Sequence, residues 1–160
     1  MRVYKPGSTT LLETLSYNGL GYQITCTTGI GETAVTTRSC YSSSWQVIEE
    51  RVGEGSAFSN QYVWSPVYVD AMICRIQSAG GIPVRQYVQQ DANYNVTAIV
   101  YGSQVVERFT TDAYGGNIST YTYDSGTDTW GLGTDAWNWQ YFHQGGRYDA
   151  VSGLYNFRNR

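Results

Sequence analysis

Val96-Thr97-Ala98-Ile99-Val100-Tyr101-Gly102-Ser103-Gln104-Val105-Val106-Glu107-Arg108-Phe109-Thr110 reads as a complete β-hairpin. Val96, Ala98 and Val100 alternate with Thr97, Ile99 and Tyr101. After Gly102-Ser103, Val105, Glu107 and Phe109 alternate with Val106, Arg108 and Thr110. A period of two sorts side chains onto the two faces of a strand. A two-residue loop with Gly first suits a type II′ turn. The stretch therefore predicts two antiparallel strands joined tightly.

The flanking sequence repeats this plan. One series of turn signals contains Gly29–Glu32, Gly53–Ser56, Ala79–Gly81 and Gly102–Ser103. A second contains Tyr17–Gly21, Tyr41–Ser44, Ser65-Pro66, Asp91–Asn93 and Asp112–Gly115. Members of each series recur roughly every two dozen residues, a period that marks a repeat architecture. The segments between turns have the length of single strands. Two strands per repeat, with turns on alternate ends, predict an all-β chain built as an antiparallel meander of hairpins. No segment carries a capped helical stripe, so little or no helix is expected. The chain reads as one β-domain over 1–160. Regular hairpins occupy 17–123, a loop rich in Gly, Thr and Asp 124–136, and an aromatic strand with a terminal segment 137–160.

Composition agrees. Charged residues make up only 14% of the 160, while Tyr counts 15 and Gly 18, a balance that favours strands and tight turns. A net charge of −3 gives nucleic-acid binding no electrostatic support. Arg147, Arg158 and Arg160 read as a solvated strand face. No apolar run is long enough for a membrane-spanning helix, and Met1–Pro6 lacks the apolar region of a signal peptide. Cys26, Cys40 and Cys74 have neither disulfide-framework nor metal spacing, and are expected to be buried or half-buried free thiols.

Catalysis finds little footing. His143 is the one histidine, too few for a convergent metal site. Most of the acidic groups singled out, Asp91, Asp112, Asp124 and Asp149, fall in turns, where capping explains them. No catalytic residue, cofactor or metal ligand is expected. Trp130, Trp137, Trp139 and Tyr141 form the densest aromatic cluster. Exposed in one row, they would stack on sugar rings as a carbohydrate- or surface-binding site. Buried, they would close a core, which is the preferred reading.

The tail Tyr148-Asp149-Ala150-Val151-Ser152-Gly153-Leu154-Tyr155 resembles the segment that closes the core of rearrangement-hotspot (Rhs), or YD-repeat, proteins, with Ser152 in place of Thr. Three earlier turns are similar to the repeat's Tyr-Asp-x-x-Gly opening. Tyr17-Asn18-Gly19-Leu20-Gly21 has Asn for Asp. Asp91-Ala92-Asn93-Tyr94 has Tyr for Gly. Thr111-Asp112-Ala113-Tyr114-Gly115 has Thr for Tyr. Tyr148, Asp149 and Gly153 are the closest copy. The resemblance implies a β-ribbon that is a piece of a shell enclosing a toxin or other cargo, in a bacterial secreted or cell-surface protein. It also implies partners at the sheet edges, either neighbouring repeats or a second copy of the chain. The Asp residues with which many members cut themselves lie beyond this tail, so no self-cleavage is expected. The uncharged stretch Tyr22–Thr28 is expected to form the exposed N-terminal edge, and Leu154–Arg160 the opposite one.

Overall fold

The computed structural model describes residues 1–55 and 57–157. Its strands, in chain order, are β1 (Arg2–Tyr4), β2 (Leu11–Tyr17), β3 (Gln23–Thr28), β4 (Val35–Tyr41), β5 (Val47–Val52), β6 (Asn60–Trp64) and β7 (Met72–Ala79). They continue as β8 (Ile82–Gln90), β9 (Val96–Tyr101), β10 (Gln104–Thr110), β11 (Ser119–Asp124), β12 (Thr129–Leu132), β13 (Arg147–Asp149) and β14 (Leu154–Asn156). The first twelve form one antiparallel sheet in sequential order, and β13 and β14 form a separate hairpin. A single 3-10 turn at Gly31–Thr33 is the only helical element among the described residues. The predicted all-β meander is therefore observed. Gly102 has φ of 61° and Ser103 is not among the positive-φ residues, as the type II′ loop requires.

The turns leading from even to odd strands share one construction. In the β2–β3 turn, Asn18 Oδ1 accepts the amides of Leu20 and Tyr22, both at 3.0 Å. Ser42 Oγ does the same for Ser44 and Gln46 at 3.2 and 3.4 Å. Asp91 Oδ1 takes Asn93 and Asn95 at 2.8 and 2.9 Å, and Asp112 Oδ1 takes Tyr114 and Gly116 at 3.0 and 2.7 Å. The third residue after each cap is left-handed: Gly21, Trp45, Tyr94 and Gly115, with φ of 84°, 64°, 61° and 82°. Glycine adopts that conformation freely, whereas a Cβ costs on the order of 1–2 kcal/mol. Trp45 and Tyr94 offset the cost by packing against Tyr22 and Tyr68. At Gly115 the position is also tight, since a Cβ would lie 2.6 Å from the His143 Cβ. A fifth turn, after Trp64, is longer; there Ser65 Oγ caps Val67 and the Ser65 amide reaches the Ala71 carbonyl.

Several boundaries differ from those expected. Segment 124–136 is not one loop: Asp124–Thr129 is a hairpin turn, and β12 pairs with β11. Its Trp130 and Leu132 sit among glycines and threonines, which masked the strand. The stretch from Trp137 to Phe142 is not a strand. It makes one isolated bridge, Tyr141 to Arg147, and its Trp137 and Trp139 amides go to the Asp135 cap instead of a ladder. Tyr22–Thr28 is not an edge, because β3 lies between β2 and β4. The edges of the large sheet are β1 and β12. At the other end of the chain, β14 pairs only with β13, and Arg158 and Arg160 lie outside the described residues, as does Ser56 of an expected turn. Arg147 is no solvated residue but a half-buried ion-pair partner of Glu50. Cys26 is half-buried and Cys74 buried, but Cys40 is exposed.

The sheet rolls up. Tyr155 donates its hydroxyl to the Gly115 carbonyl, in the turn between β10 and β11, at 2.8 Å. The next residue, Asn156, donates Nδ2 to Gln23 Oε1 at the start of β3, at 2.6 Å. In a flat sheet with strands about 4.8 Å apart, β3 and β11 would stand about 38 Å from each other. Two consecutive residues span both only if the two ends of the meander face each other across the C-terminal segment. The core lies along that segment: Tyr62, Met72, Val96, Ile99 and Phe109 of the sheet region pack on Trp139, Tyr141 and Phe142.

Candidate functional site: a polar interior holding the C-terminal segment

The strands direct an unusual set of side chains inward. The largest side chains with less than 2% of their surface exposed are Arg75, Ile99, Gln86, Glu13, Glu50 and Glu107, of which only Ile99 is apolar. Charged groups are rarely buried unless they are paired. Each charged one here is matched by the segment running from Asp135 to Asn156.

Arg75 on β7 reaches furthest. Its Nε donates to Gln86 Oε1 at 2.6 Å, and its two terminal nitrogens donate to the Asn138 and Trp137 carbonyls at 2.9 and 2.6 Å. The guanidinium lies 4.7 Å from the Trp139 ring centroid, a cation–π arrangement. Burial lowers the Arg75 pKa, and the surrounding Tyr62, Asp135, Glu50 and Glu107 oppose that. Glu50 on β5 meets Arg147 at 3.1 Å, and it accepts from Tyr62 Oη and Asn60 Nδ2 at 2.8 and 3.0 Å. Burial disfavours the Arg147 charge most, but Glu50 together with Tyr141, Tyr62 and Cys26 more than offsets it and raises the pKa.

Glu13 on β2 lines the same cavity as Asp149. Burial, then the neighbouring Asp149 carboxyl, pushes Glu13 up to about 7. Burial also works against the Asp149 charge, yet bonds from the Ser152 hydroxyl and the Val151 and Ser152 amides, with Glu13 beside them, hold it below the usual range. Cys26 Sγ donates to Glu13 Oε2 at 3.4 Å, and burial together with Glu13 pushes this thiol up to about 12. A thiol held protonated is a poor nucleophile. On β10, Glu107 Oε1 accepts the Ala136 amide at 2.7 Å. Burial, opposed by that bond and reinforced by Asp135, raises Glu107 to about 7. Asp135 itself caps the Trp137 and Trp139 amides at 3.1 and 2.7 Å.

The aromatic residues singled out in the sequence are not gathered into an exposed row. Trp139 and Tyr141 are 2% and 3% exposed and belong to the core. Trp137 is half-buried against Tyr101. Trp130 is on β12, under Arg108 and beside Tyr123. Gly21, Asp91, Asp112 and Gly115 occupy the shared turns, and Tyr17 ends β2 opposite Gln23. Tyr148 packs on Phe142 and Tyr155. The Gly153 amide closes the last turn on the Asp149 carbonyl at 2.8 Å. Sequence reasoning missed the inward Glu13, Glu50, Arg75 and Glu107. One signal was present, because Glu107 alternates in phase with the apolar Val105 and Phe109.

Beside this interface a polar cleft of about 660 Å³ lies between Thr28 and Thr37 on one side and Asn117 and Thr120 on the other. No group of three or more His, Cys, Asp or Glu side chains is arranged to hold a metal ion among the described residues. None of the described helices is long and apolar enough to cross a membrane. The chain matches no protein-family model, and no curated protein shows significant similarity to it.

Proposed function

We propose that the chain is a structural module of a YD-repeat shell, a rolled β-ribbon that encloses and presents a C-terminal segment and performs no catalysis itself. The observation that carries this reading is the enclosure: Tyr155 and Asn156, adjacent in sequence, hold opposite ends of the meander. The shared capped turn, built on Asn18, Ser42, Asp91 and Asp112, supports the repeat resemblance, because it gives the Tyr-Asp-x-x-Gly pattern a single geometric meaning. In the full assembly the ribbon would continue at the β1 or β12 edge, through further repeats or a second copy, whose backbone would complete the unpaired N–H and C=O groups. The enclosed segment would then stand where a toxin or other cargo begins, in a bacterial secreted or surface protein. The carbohydrate-binding alternative loses Trp139 and Tyr141, which are buried.

Enclosure is testable by cutting the chain. A protease site inserted after Thr134, in the exposed stretch between β12 and Asp135, separates the sheet from the segment it holds. After cleavage, both pieces are expected to elute together in native size exclusion and to part only in denaturant. Immediate separation in native buffer would contradict the reading.

A further inference from the structure

Glu13 and Glu107 lie far apart along the meander, on β2 and β10, yet their environments are alike. Each is at most 1% exposed. Each turns toward an Asp of the C-terminal segment that is already engaged in capping amides: Asp149 caps Val151 and Ser152, and Asp135 caps Trp137 and Trp139. Glu13 Oε1 and Glu107 Oε2 are buried with no hydrogen-bond partner among the described residues. Glu13 lines one cavity with Asp149, and Glu107 Oε1 takes the amide of Ala136, the residue after Asp135, so the neighbour left to each orphaned oxygen is the facing carboxyl. Two carboxyl groups can share a hydrogen bond only when one of them carries a proton.

Among the described residues no unengaged cation faces either pair; the Met1 ammonium, which lines the Glu13 cavity, donates to the Leu15 carbonyl at 2.6 Å. The groups facing Glu13 are Asp149 and Arg147 on β13, Cys26 on β3 and Tyr17 on its own strand. Arg147 is engaged by Glu50 and by Gln140 Oε1, the latter at 3.0 Å. The groups facing Glu107 are Asp135, the Ala136 and Trp137 amides, and Arg75 on β7. The Arg75 nitrogens are bonded to Gln86 and to the two carbonyls already described.

We propose that these two carboxyl pairs are proton-dependent clasps: one proton in each pair pins segment 135–149 to the sheet, and release of both protons to solvent loosens that segment while the meander stays folded. The structure assigns the clasps to the two ends of the segment, so they open it from both sides. The inference goes beyond the shell reading and does not depend on it, because it concerns only how this chain holds its own residues.

Both glutamates titrate higher when docked than when free, so the clasp is at full strength below about 4.5. It weakens as pH rises through about 7 and levels off above that. Cleft water screens part of the effect, so the docking equilibrium is expected to fall on the order of tenfold to a hundredfold.

Amide hydrogen exchange of the whole chain, followed by mass spectrometry and corrected for intrinsic rates, reads this directly at about pH 5 and about pH 8.5. Peptides covering 135–157 are expected to exchange on the order of tenfold to a hundredfold faster at the higher pH, with β8 and β9 unchanged. In Glu13→Gln/Glu107→Gln, each amide keeps a permanent N–H donor for its Asp, so the pH response should vanish with the segment still docked. If that variant does not fold, Asp135→Asn/Asp149→Asn removes the like charge from the other side and should flatten the response equally. Equal protection of 135–157 at both pH values in the unmodified chain would overturn the proposal. So would a response that persists in either folded variant, or a loosening spread evenly over the sheet.

Discussion

Replacing Arg75 with Met is expected to destabilise the fold by about 3–5 kcal/mol, the cost of breaking a buried charged network from one side. The guanidinium satisfies Gln86 and the Trp137 and Asn138 carbonyls, and it covers Trp139. Met fills much of the volume and leaves three acceptors without their donor, the buried Gln86 among them. Lys should recover little, since one ammonium cannot reproduce a fork that reaches three directions. Chemical denaturation would measure the loss, and the near-ultraviolet dichroism of the tryptophans should report the loosened segment. Arg85, on neighbouring β8 but exposed, is the control; its replacement by Met should leave the midpoint where it was. Equal effects at the two positions would mean that the Arg75 contacts contribute nothing specific.

The second large effect is at the Glu50–Arg147 pair. Arg147→Met leaves a carboxylate that is 1% exposed without its cation, again at a cost of about 3–5 kcal/mol. Tyr62 and Asn60 still donate to Glu50, but neither neutralises it. Adding Glu50→Gln removes the orphaned charge while keeping an acceptor for Tyr62, so the double variant should regain most of the stability. Urea unfolding of both single variants and the double variant gives the coupling. A double variant no more stable than Arg147→Met alone would show that the two residues do not act as a pair.

Those two residues also mark where the sequence stopped being legible. Strand and turn positions follow from local chemistry: alternation in Val96–Thr110, glycines at left-handed sites, and Asx or Ser caps that bond amides two and four residues on. Those signals sit within a few residues of each other, and the meander emerged from them. Curling of the ribbon depends on pairs such as Gln23–Asn156, which are 133 residues apart, and nothing local announces such a contact. The interior was illegible for a related reason. A Glu or Arg in a strand ordinarily faces water, and only the partner segment reveals that Glu13, Glu50, Arg75 and Glu107 face in. Arg147 was read as solvated on the same grounds. The aromatic run from Trp137 to Phe142 carried strand-forming residues, yet Asp135 captures its first amides, and its hydrophobic rings are needed in the core.

The twelve-stranded ribbon rolls around its C-terminal segment, and nuclear Overhauser contacts from Tyr155 and Asn156 test this most directly. The rolled fold predicts contacts from the Tyr155 ring to Gly115 and from the Asn156 side-chain amide to Gln23, together in one monomeric species. A flat or open ribbon places those two targets about 38 Å apart, and contacts to one of them with none to the other would contradict the account.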